Sequence, residues 1–510
     1  MRLSVVDPGP YPPCPAPFNL AAYVLEHEPR LADKPALEIV SRDQHQTWTY
    51  REMRRAVFGA AAGLTAQGLP KGARVMLRIG NSIEFPLAFL ACIAAGFAPM
   101  PTAAQLTGPE ITKMAKEVSP ALILASPGIA LPDLPSCPVI TAEEFTQLTA
   151  YEPMAPLMGD PNRLSHILFT SGSSGSPHPV MHAHRMIWAR QMMYDGWLGL
   201  DESDRMLHAG ALNWTFTLGT GLMDPWAVGA TGIILADGTP PEDLPHLIDH
   251  HEATLFAAVP GIFRKILNTG VGPLPKLRHG HSAGEKLPTI TGKRWKEATG
   301  TVIHEAFGMS ECNIFISGSD TTPAPPGTLG YPQHGRRVAI LDEDGQIVPR
   351  GAPGVISIHR DEPGLMLGYH GEPDQTAAKY DPSGIWFMTG DMGAMAEDNA
   401  ISYLGRDDDM LNAGGFRVSP LEIEHIYARH PDLSEVAAVE VAVKEDAHVV
   451  ALFYTSAADP SEADLKRFAQ DHLAPYKIPR LFIRREALPR NRNGKLARRH
   501  LREEYQTTDG

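Results

Sequence analysis

Short apolar runs recur along the first half of the chain, and stretches of helical character separate them. Residues 73–79 (ARVMLRI) read as a buried strand, Asn81 opens the helical stretch IEFPLAFLACIAAG, and FAPMP follows as another short strand. Residues 121–125 (ALILA), 164–170 (LSHILFT), 231–236 (TGIILA) and 253–259 (ATLFAAV) repeat the theme. Strands of this kind between helices predict parallel sheets covered on both faces. No short repeat period is present, which excludes a solenoid. The most apolar run, 85–101, is broken by Gly96, ends in proline and is short for a membrane span of about 20 residues. A buried helix running into a strand is expected there.

The pattern changes after about Pro323. TPAPPGTLGYP is a proline- and glycine-rich loop, and VAILDEDGQIV reads as a hairpin turning at Asp344-Gly345. GVISIHR and IWFMTGD continue the β-rich theme, as a small barrel or a third sheet. A second change comes near Gly405, where GRDDDMLNAGG is polar and suits a hinge. The remainder reads as helix (SPLEIEHIYARH), strands (VAAVEVAV, HVVALFYT), helix (SEADLKRFAQDHL) and a basic tail, enough for a small α+β domain. The expected division is 1–407 and 408–510.

Composition narrows the function. At 510 residues, 43% hydrophobic and 20% charged, the chain is ordinary folded protein of more than one domain. Its net charge of −14 argues against general nucleic-acid binding. Cys14, Cys92, Cys137 and Cys312 are far apart and form no CxxC pair, which argues against a zinc site or a disulfide framework and for reduced thiols in a cytoplasmic protein. The proline-broken N-terminus lacks the apolar core of a signal peptide.

The strongest local signal is 169–177 (FTSGSSGSP), directly after a strand. Small residues let backbone pass close to a ligand, and their N–H groups and hydroxyls can converge on phosphate oxygens. No Lys-Ser/Thr pair closes it as in GxxxxGK[ST], and Ser176 stands where a GxSxG elbow needs glycine. A flexible Ser/Gly surface loop is the bland alternative. Further patches are SAGEKLP (282–288), EAFGMSE (305–311), WFMTGD (386–391), GRDDDMLNAGGFRVSPLEIE (405–424) and PRNRNGK (489–495).

In order and spacing these patches resemble the adenylate-forming superfamily of acyl-CoA synthetases, adenylation domains and luciferases, over residues 48–502. PGLMLGY (363–369) and GGFRVSPLEIE (414–424) are most similar to acid:CoA ligases of the medium-chain acyl and benzoate type. The resemblance implies an α/β fold, with a large N-terminal domain of two αβ-layered subdomains plus a β-barrel and a small mobile α+β C-terminal domain. It implies that a small-molecule carboxylic acid attacks the α-phosphate of ATP, giving acyl-AMP and pyrophosphate, and that coenzyme A then displaces AMP. ATP, Mg2+ and coenzyme A are the implied cofactors. No nucleic-acid partner and no membrane span are expected, and a homodimer stays open.

Residue roles carry over by motif. Thr170, Ser171, Gly172, Ser173, Ser174 and Gly175 would hold the β- and γ-phosphates, with His178 at the end of that motif. Glu311, with Thr170, would ligate Mg2+, a hard cation suited to oxygen. Ser282, Ala283, Gly284 and Glu285, with Glu305, Ala306, Phe307, Gly308, Met309 and Ser310, would flank the nucleotide. Asp391 would accept both ribose hydroxyls. Arg406 would contact the ribose and Arg417 the phosphates. Lys495 would bridge the attacking carboxylate and the α-phosphate, making it catalytic with Glu311 and Arg417. Gly414, Gly415 and Phe416 would line the coenzyme A tunnel, and Asp408 would be the hinge. Trp214, Phe216 and Gly308 would form the acyl pocket, with Ala283 a further candidate.

Two departures from the family pattern stand out. The phosphate motif usually ends in Pro-Lys-Gly, and here it is Pro177-His178-Pro179, so an imidazole replaces the ammonium. Residues 208–219 (HAGALNWTFTLG) carry no acid to pair with a substrate amine, which argues against a free α-amino acid. An aromatic wall fits a benzoate-like, cyclic or short to medium aliphatic acid better than a long chain. His182 and His184 read as structural or supporting residues. The alternatives are an enzyme loading a carrier-protein thiol, lowered because no carrier domain follows, and a catalytically impaired nucleotide-binding regulator, which His178 motivates.

Overall fold

The computed structural model describes residues 2–134, 137–170, 177–413, 416–444, 447–458, 460–470, 472–490 and 496–508. The chain divides into two compact units. One comprises Met1–Val5, Ala339–Ser357 and Met388–Gly510, and the other Val6–Val338 with Ile358–Phe387.

The larger unit is built on a nine-stranded sheet. Its middle runs Val302–Met309, His279–Ala283, Leu255–Ala258, Arg205–His208, Thr231–Leu235 and Pro35–Val40, all paired parallel. Antiparallel strands extend both sides: Asn313–Ser317 and Tyr331–Pro332 on one, His45–Thr49 on the other. A second sheet of four parallel strands has the order Ala98–Pro101, Arg74–Arg78, Leu122–Ala125, Val139–Thr141. Crossover geometry explains the parallel pairing, since a strand returned by a helix re-enters the sheet in the same direction.

The helix Glu84–Ala95 shows why the apolar run at 85–101 needs no membrane. Every residue from Phe85 to Ala95 is buried in the main core, and Gly96 ends the helix at φ 80°, a left-handed conformation suited to glycine. Among the described residues no helix is long and apolar enough to cross a membrane. The helix Tyr50–Ala66 packs beside it and starts at a capping box, with Thr49 and Glu52 each bonding the other's backbone N–H.

Two segments depart from expectation, and a third takes one of its two expected forms. Leu164–Phe169 forms, but it pairs antiparallel with Pro179–Ala183 in a three-stranded sheet instead of joining the parallel strands. The 338–348 hairpin reduces to the strand Val338–Leu341 and one bridge, Leu341 to Ile347, turning where Gly345 has φ 77°. The segment expected as a barrel or third sheet is a five-stranded sheet containing Pro353–His359, Trp386–Met395 and Ile401–Arg406.

In the smaller unit, Glu435–Lys444, Ala447–Thr455 and Leu481–Arg484 make a three-stranded sheet carrying the helices Pro420–Tyr427 and Glu462–Gln470. The basic stretch expected as a tail is the helix Arg498–Thr508. Leu501 and Tyr505, one turn apart, pack into the core beneath the sheet. All four cysteines are free thiols.

Candidate active site

The larger unit carries the first group of candidates. Thr170 follows the strand Leu164–Phe169, and its N–H donates to the carbonyl of His178 at 3.1 Å. The His178 N–H returns a bond of 3.3 Å to the Thr170 hydroxyl. These reciprocal bonds clasp the two residues flanking the phosphate motif. Ser171, Gly172, Ser173, Ser174 and Gly175 lie outside the described residues.

His178 is committed to acidic company. Its Nδ1 donates to Glu372 Oε2 at 2.7 Å, and its ring lies 5.2 Å from that of Tyr369. Burial, and then the hydrogen bond and charge of Glu372, push the Glu117 carboxyl above its ordinary range. Glu372 is thus shared between His178 and Glu117.

Tyr369 links this group to Glu311. Its hydroxyl donates to Glu311 Oε1 at 2.7 Å, and Glu311 is only 7% exposed. Glu311 follows the strand Val302–Met309, and its backbone carbonyl accepts from the Met366 N–H at 2.7 Å. No Lys, Arg or His among the described residues pairs with its carboxylate. A buried anion contacted by a neutral hydroxyl, with hydroxyl donors such as Thr170 in the same unit, is oxygen chemistry that fits a hard divalent cation.

The two segments expected to flank the nucleotide, 282–285 and 305–310, lie on or directly after neighbouring parallel strands. Ser282 pairs in register with Glu305, and Ala283 with Ala306. Ser282 is fully buried, and its hydroxyl has no hydrogen-bond partner among the described residues. Glu305 is occupied by the other segment: Lys286 Nζ donates to Oε2 at 3.0 Å and the Leu287 N–H to Oε1 at 2.9 Å. Burial raises the Glu305 carboxyl against the opposing pull of Lys286. Glu305 therefore ties the two segments together. Phe307 packs edge-on to Phe315 at 5.3 Å, and a bulge falls between Phe307 and Gly308. A Cβ on Gly308 would stand 2.2 Å from the Asn313 carbonyl oxygen, so only glycine fits this crossing.

Trp214 lies against the first of these segments. Its ring edge is 3.0 Å from where a Cβ on Gly284 would be, and Gly284 has φ 92°. Phe216 stacks edge-on to Trp214 at 5.4 Å and is buried with Trp197, Ala283 and Ala306. Thr215, between them, bonds the Ser310 hydroxyl at 3.4 Å. Residues 214–216 therefore touch both segments, at Gly284 in one and Ser310 in the other.

The second group belongs to the smaller unit. Asp391 and Arg406 are direct cross-strand partners. Asp391 is 5% exposed; Oδ1 accepts from the Tyr403 hydroxyl at 2.9 Å and Oδ2 from Arg406 at 3.3 Å. Burial, then the adjoining carboxylate, raises the Tyr403 phenol well above its usual range, so it stays a donor. Asp408 sits in the turn Asp407–Asp409, and Phe416 and Arg417 in the strand Phe416–Val418; their side chains lie outside the description. Gly414, Gly415 and Lys495 also lie outside the described residues. Arg498 bonds both oxygens of Glu424, at 2.9 and 2.8 Å, and comes within 3.6 Å of Asp409.

No role was expected from sequence for Tyr369, Glu372, Glu117, Tyr403 or Lys286, although Tyr369 closes the 363–369 motif and Lys286 lies within 282–288. His182 and His184 are supporting residues, as expected. The His182 ring stacks on His166 at 5.0 Å, and His184 Nδ1 accepts from the Leu20 N–H at 3.0 Å.

The family described as AMP-binding enzyme matches residues 26–370, and the AMP-binding enzyme C-terminal domain matches 422–495. Benzoate–CoA ligase of Thauera aromatica is 29% identical, over 98% of this chain and 99% of that protein. Human mitochondrial acyl-coenzyme A synthetase ACSM2A is 28% identical, over 96% and 91%. The crystal structure of a benzoate CoA ligase from Burkholderia xenovorans LB400 superposes with a TM-score of 0.83 at 27% identity, covering 95% of this chain and 100% of that one. The chain belongs to the AMP-binding enzyme family, the adenylate-forming superfamily that includes the AMP-forming acid–CoA ligases.

Proposed function

We propose that this enzyme joins a small carboxylic acid to coenzyme A in two half-reactions. The acid carboxylate attacks the α-phosphate of ATP, the α–β bond breaks, and pyrophosphate leaves. The coenzyme A thiol then attacks the acyl carbon, and AMP leaves. What carries the reading is the match of both parts of the chain to the family, beside curated relatives that are CoA ligases over nearly their whole length.

In this reading Thr170 to Gly175 cradle the β- and γ-phosphates, and Ser282–Glu285 with Glu305–Ser310 flank the adenine. Asp391, with its oxygens aligned by Tyr403 and Arg406, takes the ribose hydroxyls. Glu311 and Thr170 would hold Mg2+, which supplies neutralisation of polyphosphate charge. Lys495 and Arg417 neutralise the charge that builds as two anions approach. Gly414, Gly415 and Phe416 form the thiol's path, and residues 408–510 act as a separate cap hinged at Asp408. The setting is taken as cytoplasmic from the reduced thiols, although some matched relatives are mitochondrial.

Trp214 lying on the Gly284 backbone, with Phe216 behind it, favours a compact aromatic, cyclic or short to medium-chain acid. The test is a panel of such acids with ATP, Mg2+ and coenzyme A, scoring AMP and thioester together. Equal yields of both with one acid class support the reading. ADP as product would overturn it. AMP released with every acid but never a thioester would favour loading of a carrier-protein thiol.

A further inference from the structure

The strand His279–Ala283 carries histidines at alternate positions, 279 and 281, so both project from one face of the sheet. His304 on the neighbouring strand is in register with His281. The His279 and His304 ring centroids are 5.0 Å apart. Asp320, just beyond the strand Asn313–Ser317, completes a group in which one ligand-type atom from each of His279, His304 and Asp320 lies within 4.8 Å of the others.

Three imidazoles packed in a sheet interior call for an explanation, because these positions ordinarily hold aliphatic residues. A hydrogen-bonded structural role accounts for part of it. His279 Nε2 is 3.3 Å from the Leu198 carbonyl, and His281 Nε2 is 3.3 Å from that of Trp197. It does not account for His304. That side chain is 7% exposed, and its Nε2 has no hydrogen-bond partner among the described residues. An unmatched buried polar atom costs about 1–3 kcal/mol. His304 and Asp320 also line one cleft of about 440 Å³, so a small ion can reach them from solvent.

We propose that His279, His304 and Asp320 bind a divalent transition-metal ion of the zinc type, at a site separate from the oxygen-ligated magnesium of the reaction. Two imidazoles and one carboxylate are a common donor set for zinc, with the fourth position left to water from the cleft. Ligands about 2.1 Å from a tetrahedral ion stand roughly 3.4 Å apart. The group must therefore draw in by little more than 1 Å, and exposed Asp320 supplies that movement. Bound metal would pin the loop after Asn313–Ser317 to the two strands that carry Ser282 and Glu305. The other cluster of similar composition, Glu38 with His45 and His251, is already served: both Glu38 oxygens accept from Arg205 at 2.9 Å.

The full-length enzyme is stripped with EDTA and titrated with Zn2+ against a chromophoric chelator, with metal content read by mass spectrometry. One zinc per chain is expected, with a Kd below about 10 µM. Asp320→Asn, an exposed conservative change, should weaken it at least about tenfold, and His304→Gln should do the same where it folds. His45→Ala should leave binding intact. A Kd above that limit overturns the proposal. So does binding that survives Asp320→Asn or is lost in His45→Ala.

Discussion

Replacing Tyr369 by Phe removes one oxygen and leaves the ring in place. The lost hydrogen bond is a 2.7 Å contact to a carboxylate that is 7% exposed, so little water can substitute for it. A hydrogen bond to a charged group contributes about 1.5–3 kcal/mol, which at about 1.4 kcal/mol per tenfold corresponds to about 10–100-fold. Supporting contacts behind a metal ligand, when removed, cost metal affinity by a similar about 10–100-fold. If Glu311 holds the magnesium of Mg-ATP, the hydroxyl aims that carboxylate, and the loss falls on adenylation. The assay is acid-dependent ATP–pyrophosphate exchange across a Mg2+ titration, beside thermal unfolding. The Mg2+ half-saturation point should rise about 10–100-fold. Thioester formation from supplied acyl-AMP should change little. In a Glu311→Gln background the same substitution should add almost nothing, since the two act as one unit. A lowered melting temperature with an unshifted Mg2+ curve would refute the reasoning and leave the pair as a core bond.

Lys495→Ala should cost acyl-AMP formation about 10²-fold or more while sparing thioester formation from supplied acyl-AMP; normal pyrophosphate exchange in the variant would remove Lys495 from the chemistry. Gly308→Ala should destabilise the enzyme by about 3 kcal/mol or more in urea unfolding, because its Cβ would meet backbone at 2.2 and 2.5 Å, which cannot rotate away. Acid should unfold the protein early. Burial depresses His182 and His208 to about 3, and His166 well below its ordinary value. The unfolded chain therefore takes up protons below about 6.5 that the native state refuses, and each ring forfeits about 2 kcal/mol by pH 5. Equal urea midpoints at pH 7.5 and pH 5 would contradict this.

Much of the fold was legible because burial on two faces leaves a plain mark. Residues 73–79, 121–125, 231–236 and 253–259 are mostly apolar and became interior parallel strands. Composition says less about pairing direction. LSHILFT looks like its neighbours, yet it pairs antiparallel with Pro179–Ala183. The C-terminal helix was masked by its charge: among its described side chains, Leu501 and Tyr505 at a four-residue spacing carry the buried apolar signal. At the site, the small-residue and acidic motifs were visible because the chemistry demands those residue types at fixed spacing. Their partners were not. Glu311 and Tyr369 are 58 positions apart, and His178 and Glu372 are 194 apart, so nothing local relates them. The buried histidines were hidden differently, because polarity patterns count histidine as surface while these rings fill core positions.

The pairing of His178 also alters how the departure from the family's lysine is read. From sequence, an imidazole in that place invites the thought that His⁺ supplies the missing charge. With Glu372 at 2.7 Å, a protonated His178 belongs to an ion pair of zero net charge, and a neutral one belongs to a net anion. Neither state brings positive charge toward a polyphosphate. Glu117, its carboxyl raised by burial and by Glu372, adds no positive charge either. On the proposed reading, the attraction that a lysine would provide is left to a cation held at Glu311 and to Lys495 and Arg417. On this argument His178 acts through position, closing on Thr170 by two backbone-anchored bonds and leaning on Tyr369, which in turn holds Glu311. Thr170, which opens the Ser/Gly motif, is thereby linked to the buried Glu311 carboxylate through His178 and Tyr369.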